Sequence, residues 1–304
     1  MTEFSELKTK IEQTITDEST PLWFPNLTKD LVDFGWEKLE KERQIGLESY
    51  STNHLLLPNS NATREIIAKL PKNNESTATN DVIQLEILSP EITSIYKKQG
   101  AEFYEKSEIL NSSIMETLSE AISIIQKVPS LNDSVFDLVR VLHLIKSDEA
   151  GEYDISFSEP HIPFSIFFSV PQKRVFADFL RVAEAIIHEA MHLQLTLIEN
   201  NVTLIIESDN EYFSPWKNQT RKANGVMHAL YVFKVIDIFL KILLQNVQSS
   251  KFKDYIINRR KTIFQQILEI GDFGNVEDLT IIGKTFVDIL IKSYYSQNTH
   301  LKNL

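Results

Sequence analysis

The sequence predicts a mainly α-helical fold with a small β-sheet (an α+β fold), and two patterns of apolar residues carry this prediction. From residue 174 onward, apolar residues recur three and four positions apart over stretches long enough for several helical turns. Before that point, short segments rich in β-branched and aromatic residues predict strands. The helices expected in the second half span residues 174–199, 221–245, 251–269 and 279–294.

The first half of the chain combines shorter predicted elements with one polar stretch. Helices are expected over residues 27–46 and 107–127, and strands over residues 82–88, 135–145 and 163–170. Residues 71–80 (PKNNESTATN) hold almost nothing that joins a core, so they predict an exposed loop and a subdomain boundary. Residues 1–130 carry no recognisable motif and are interpreted as a mostly helical N-terminal region. Residues 131–304 then form the region that carries the site, unless the two regions are one continuous domain.

Charge and composition exclude several classes of function. The chain has 31 basic and 42 acidic residues and a net charge of −11, which argues against binding to nucleic acid or to an anionic membrane. It contains no cysteine, so disulfides, thiolate metal ligands and a cysteine nucleophile are excluded, and any metal must use His, Asp or Glu. No signal peptide or membrane span is recognisable, so a cytoplasmic protein is expected.

An HExxH motif is the main chemical signal, and it consists of His188, Glu189, Ala190, Met191 and His192. Residues four apart lie on one face of a helix, so both imidazoles can reach a single cation. The surrounding helix is strongly apolar and would bury these polar side chains, which then need a partner. A metal ion supplies that partner, while Glu189 could polarise a metal-bound water or orient a ligand.

A third ligand is needed, and His228 is the preferred candidate. It lies in a core-like run of the next long helix, so the metal site is expected on two long core helices. Glu199, Glu207 and the remaining histidines are the alternatives. Arg221, seven residues before His228, is the first candidate for binding a carboxylate at the metal, and Arg181, seven residues before His188, is the second.

Other polar and aromatic residues are given smaller roles. Trp216 is expected to line a substrate pocket, although it could equally belong to the core. The segment 156–165, which ends at Ser165, is expected to border the same pocket because its strand leads toward the metal helix. A structural role is preferred for His143 in its strand pattern, and no chemistry is assigned to His54, His161 or His300.

Three segments around the motif resemble a known family. The segments are YDISFSEPHIPFSIFFSVP, RVAEAIIHEAMHLQLTLIE and YFSPWKNQTRKANGVMHALYVF, which together span roughly residues 153–233. In this order they are similar to the HExxH-motif peptide-modification proteins of ribosomal peptide natural product (RiPP) biosynthesis, also described as 2-oxoglutarate-dependent HExxH peptide β-hydroxylases.

The resemblance implies a non-haem iron dioxygenase, an oxidoreductase that hydroxylates a side-chain β-carbon of a ribosomally synthesised precursor peptide. Its cofactors would be Fe(II), 2-oxoglutarate and O2, with iron held by His188, His192 and His228. The 2-oxoglutarate carboxylate would lie against a basic residue near the metal, for which Arg221 is the candidate. Glu189 would then orient neighbouring groups and would not act as the base.

Two other interpretations remain open from the residues alone. In a zinc metallopeptidase, Glu189 would accept a proton from the zinc-bound water. The extended HExxHxxGxxH pattern is absent, because Leu195 and Ile198 occupy its glycine and third-histidine positions, although a carboxylate such as Glu207 could complete the site. The second alternative is a non-catalytic peptide-binding protein in which the motif is structural.

Overall fold

The computed structural model describes residues 3–48, 64–72, 82–98, 100–146, 155–158 and 164–297. Its helices are α1 (Glu3–Ile15), α2 (Pro25–Glu48), α3 (Pro90–Lys97), α4 (Lys106–Leu110), α5 (Ile114–Ile125), α6 (Pro129–Leu138), α7 (Asp178–Glu199), α8 (Ala223–Asn246), α9 (Ser250–Glu269) and α10 (Ile281–Gln297). Its strands are β1 (Arg64–Pro71), β2 (Val82–Leu88), β3 (Val141–Lys146), β4 (Ser156–Ser158), β5 (Ser165–Val170), β6 (Tyr212–Ser214) and β7 (Gln219–Arg221). The predicted fold class, mainly α with a small sheet, is confirmed.

The larger sheet has five strands in the order β1-β2-β3-β5-β4. Strands β2, β3 and β5 run parallel, whereas the edge strands β1 and β4 are antiparallel to their neighbours. Every residue of β5 is buried, as expected for an inner strand that is covered on both faces. His143 on β3 is 1% exposed and stacks on Phe167 with 4.6 Å between ring centroids, so it lies in the core of the sheet.

The chain divides into two compact units. Unit 1 combines Met1–Leu31 with Gln194–Leu304, and unit 2 is Val32–Leu193. The division expected at residue 130 therefore falls inside unit 2.

Unit 1 is discontinuous in sequence, and its core joins the N-terminal segment to the late helices. The ring of Phe24 stacks on Tyr231 of α8 at 6.1 Å and lies 6.3 Å from Phe286 of α10. The side chain of Gln194 donates to the Trp23 carbonyl at 2.9 Å and accepts from the Tyr231 hydroxyl at 2.5 Å. The start of the chain is thus part of the same core as the last helices.

Most predicted elements are confirmed, but three differ. The strand predicted over 135–145 is wrong in its first part, because α6 extends to Leu138 and only the following residues form β3. Pro129 explains the difference, since proline favours the first turn of a helix. The helix predicted over 107–127 is interrupted between α4 and α5, where the sequence Asn111-Ser112-Ser113 favours caps and turns.

The helix predicted from residue 221 begins later. Arg221 ends strand β7, and α8 begins at Ala223. Arg221 and His228, which the sequence placed in one helix over residues 221–245, therefore lie on different elements, and that expectation is wrong. Most of the polar stretch 71–80 lies outside the described residues. None of the described helices combines the length and apolar character that a membrane span requires.

Candidate metal centre

Helix α7 fixes the geometry of the HExxH motif. Its start is stabilised by Asp178, whose Oδ2 accepts the backbone N–H of Val175 at 2.6 Å. Apolar residues on its inner face are fully buried, including Ile187, Ala190 and Met191. The helix is therefore anchored on both sides of the motif, which holds the polar motif residues against the core.

The structure brings His188 and His192 together as predicted. Their Nε2 atoms are 3.0 Å apart, and their rings meet edge to face with 4.6 Å between centroids. Because bonds from imidazole nitrogen to zinc are about 2.0–2.1 Å long, two nitrogens at this separation both fit the coordination sphere of one ion. The pair therefore meets the first requirement of a two-histidine metal site.

Glu189 is held beside this pair by strand β4. It is 3% exposed, and its Oε1 accepts a hydrogen bond from Ser156 Oγ at 2.7 Å. The same oxygen lies 3.9 Å from His188 Nε2. The segment 156–165 was expected to border the pocket, but the hydrogen bond between Ser156 and Glu189 was not foreseen.

His228 is oriented by a carboxylate in unit 1. Its Nε2 lies 2.8 Å from Glu199 Oε2, and Asn224 Nδ2 donates to the other oxygen of Glu199 at 2.9 Å. A carboxylate at Nε2 favours a proton on that nitrogen, which leaves Nδ1 as the nitrogen with a lone pair. Glu199 was considered as a ligand from the sequence, whereas its contact with His228 was not foreseen.

The described residues contain no group of three or more His, Asp or Glu side chains arranged to hold a metal ion. Of the three predicted ligands, His188 and His192 contact each other, whereas His228 contacts Glu199. The role of His228 as third ligand thus stays a prediction. His54, His161 and His300 lie outside the described residues.

The two candidate arginines differ in their partners. Arg181 lies 3.6 Å from Asp178, one turn earlier on α7. In contrast, the guanidinium of Arg221 has no ion pair and no hydrogen bond within the described part of the chain. It lies over Gly225, where an added Cβ would be 3.1 Å from the Cζ and Nε atoms of Arg221. Arg221 is therefore the cation that is available to an anionic ligand.

The two residues predicted to line a substrate pocket are largely packed. The indole of Trp216 stacks on Phe233 with parallel rings 5.4 Å apart, and its Nε1 is buried without a hydrogen-bond partner among the described residues. Ser165 in β5 is 1% exposed, and its hydroxyl likewise has no partner there. Their role in a pocket stays a prediction.

Comparison of the chain with protein-family models and with curated proteins gives no match in either case.

Proposed function

We propose that this protein is an Fe(II)- and 2-oxoglutarate-dependent oxygenase that hydroxylates a side-chain β-carbon of a ribosomally made peptide. The proposal rests on one observation, the approach of His188 Nε2 and His192 Nε2 to 3.0 Å on a helix anchored in the core. His228 is the proposed third ligand, as the sequence resemblance implies. Bound iron, with 2-oxoglutarate and O2, would supply the oxidising power that no protein side chain has.

Glu189 acts in this proposal as an orienting group. Its Oε1, which lies 3.9 Å from His188 Nε2, already accepts a hydrogen bond from the Ser156 hydroxyl. A carboxylate that is buried and held in this way keeps a fixed position beside the histidine pair. At 3.9 Å from His188 Nε2 the carboxylate is too far for a hydrogen bond, so it supports orientation of the groups around the metal through its fixed negative charge.

Arg221 is the proposed partner of the 2-oxoglutarate carboxylate. An arginine guanidinium binds a carboxylate through two parallel hydrogen bonds, and such charge-assisted bonds are stronger than neutral ones. Arg181 already has Asp178 within 3.6 Å, whereas the described residues offer Arg221 no carboxylate. The absence of a side chain at Gly225 leaves room for the guanidinium.

The first prediction concerns binding of the cosubstrate. Metal-free protein is titrated anaerobically with Fe(II) and then with 2-oxoglutarate, and the visible charge-transfer absorption of the chelated ketoacid is recorded. We expect a band in the wild type, its loss in His188→Ala and His228→Ala, and a Kd for 2-oxoglutarate that is roughly 10- to 100-fold higher in Arg221→Ala. The matched variant Arg181→Ala should keep the wild-type Kd.

Two results would contradict the assignment. A wild-type protein that gives no band at saturating iron and ketoacid is not this type of oxygenase. A normal Kd in Arg221→Ala together with a raised Kd in Arg181→Ala would move the cosubstrate site to Arg181.

A zinc hydrolase is the second candidate, and the position of Glu189 favours it specifically. A carboxylate oxygen 3.9 Å from His188 Nε2 lies where a general base for a metal-bound water is needed. This candidate predicts that zinc is retained on purification and that a peptide library is cleaved by the wild type but not by Glu189→Gln. Metal-free protein with unchanged stability and unchanged peptide affinity would instead indicate a non-catalytic peptide-binding protein.

A further inference from the structure

Unit 1 contains a cavity of about 720 Å³, a volume typical of ligand sites. The consecutive residues 202–209 form one wall, and the end of α7 and the start of α8 form another. Glu199 and Asn224, the two residues that hold His228, both line the cavity. The cavity thus borders the proposed third ligand.

The wall formed by residues 202–209 contains one strand-like position, Ile205, which is paired on one side only among the described residues. Ile205 lies opposite Leu279 in an antiparallel bridge, flanked by hydrogen bonds from Ile206 N to Asp278 O (2.7 Å) and from Thr280 N to Leu204 O (3.0 Å). In this pattern the backbone N–H and C=O of Ile205 point away from the paired side.

Glu207 lies two residues further on, just beyond the bridge. Among the described residues, neither Ile205 nor Glu207 uses its backbone N–H or C=O in a hydrogen bond. Both residues line the cavity. The segment therefore offers up to four backbone groups to another extended chain.

The cavity carries an excess of negative charge. Its carboxylates are those of Glu199, Glu207, Asp209 and Asp278, and its one ammonium group is that of Lys222. This ammonium is already bound, 3.2 Å from Asp209 and 3.1 Å from the Ser208 carbonyl. Glu207 and Asp209 are both exposed, and Glu207 has no ion pair among the described residues, so a partner that binds there meets negative charge.

We infer that this cavity is a docking site for an extended, basic peptide, which adds a strand to the free edge at Ile205 and Glu207. Alternate residues of the peptide bond the protein backbone, and its lysine or arginine side chains meet Glu207 and Asp209. That the docked peptide is the substrate rests on the proposed oxygenase function. The docking itself does not, because it needs no metal.

Binding is tested with metal-free protein and fluorescein-labelled peptides in a polarisation assay at low salt. The probes are an alternating Lys-Val octapeptide, its Glu-Val counterpart, and two Lys-Val versions that are N-methylated either at every lysine or at every valine. We expect binding of the Lys-Val peptide, at least tenfold weaker binding of the Glu-Val peptide, and loss of binding for one of the two methylated peptides. Absence of Lys-Val binding, equal binding of both charges, or full binding of both methylated peptides would each overturn the inference.

Charge reversal locates the site. Glu207→Lys combined with Asp209→Lys should weaken Lys-Val binding about tenfold, because two attractive pairs become repulsive. The charge-matched control, Asp254→Lys combined with Glu269→Lys at exposed positions on α9, should stay within about twofold of the wild type. Equal effects of the two changes would mean that only the net charge of the protein matters.

The same proteins separate the two proposals. Peptide binding without a ketoacid band retains the docking site and rejects the oxygenase. A ketoacid band without peptide binding retains the oxygenase and rejects the docking site.

Discussion

At the scale of single residues, Lys234 is the least usual side chain of the fold. It lies on α8 and is fully buried, and burial lowers the pKa of its ammonium group to about 8, although the nearby carboxylate of Asp237 favours the charged form. Asp237 is itself bound to Arg260, whose Nε donates to Oδ1 at 2.7 Å. The folded protein thus carries a lysine whose charge opposes folding at neutral pH.

Replacing this lysine is expected to stabilise the protein. Below pH 8 Lys234 is charged in both states and the full cost is present, whereas between pH 8 and about 10.5 only the unfolded state stays charged. Lys234→Met should therefore raise the free energy of unfolding by about 2 kcal/mol at pH 7. Its advantage over the wild type should shrink as the pH rises from 8 to 10.5.

Denaturant unfolding of both proteins at pH 7 and pH 9.5 checks this expectation, with Lys251→Met at an exposed position as the control. A Lys234→Met protein that is less stable than the wild type at pH 7 would show that the ammonium group is stabilising.

A substitution at Gly225 gives a second test at this scale, because it should change the binding of 2-oxoglutarate without lowering the stability of the protein. A methyl group there would lie 3.1 Å from the Cζ of Arg221, so the guanidinium must shift by a few tenths of an ångström. Alanine favours a helix over glycine by about 0.5–1 kcal/mol. We expect Gly225→Ala to keep or raise the melting temperature while it raises the Kd for 2-oxoglutarate severalfold. A normal Kd would mean that the position of Arg221 does not matter for the cosubstrate.

The sequence predicted those site contacts that lie within one helix and missed those between elements. His188 and His192 meet because residues four apart always share a helix face. The contacts of Glu189 with Ser156 and of His228 with Glu199 join residues roughly 30 positions apart. No local pattern encodes such pairs, since they depend on how separate elements pack.

At the scale of secondary structure elements, long helices were predictable and short strands were not. Helices α7, α8, α9 and α10 repeat their apolar spacing over several turns, and β2 alternates apolar and polar residues from Ile83 to Ile87. Strands β4, β6 and β7 have three residues each, too few for a period-two pattern to stand out. The pairing of these short strands with their neighbours is what makes them strands.

The close contact between α10 and residue Leu204 predicts that one added methyl group lowers the stability of the protein strongly. A Cβ at Gly283 would lie 2.1 Å from the Leu204 carbonyl oxygen, so either the helix or the segment must move. Gly283→Ala should lower the free energy of unfolding by about 1–3 kcal/mol and weaken Lys-Val peptide binding, because Leu204 adjoins the free edge. Denaturant unfolding checks this, with the exposed Thr285→Ala on the same helix as control. Unchanged stability would contradict the close approach.

At the scale of the whole molecule, the negative charge suits a basic partner. With a net charge of −11, the protein attracts cationic peptides over a distance of about one Debye length, roughly 8 Å at physiological salt. This attraction acts on any cationic peptide, whereas backbone pairing at Ile205 and Glu207 in unit 1 requires an extended peptide. The two contributions differ in their response to salt, since screening weakens the first more than the backbone pairing.

The discontinuity of unit 1 also has a consequence for biosynthesis. The ribosome delivers residues 1–31 first and their core partners, from residue 194 onward, only after all of unit 2. At ~5–20 residues per second this interval lasts on the order of ten to thirty seconds. During it Ile11, Ile15 and Phe24, all buried in the finished protein, have no native core to join. We therefore expect these apolar side chains to stay exposed on the nascent chain, and open to binding by chaperones, until the helices after residue 194 have been translated.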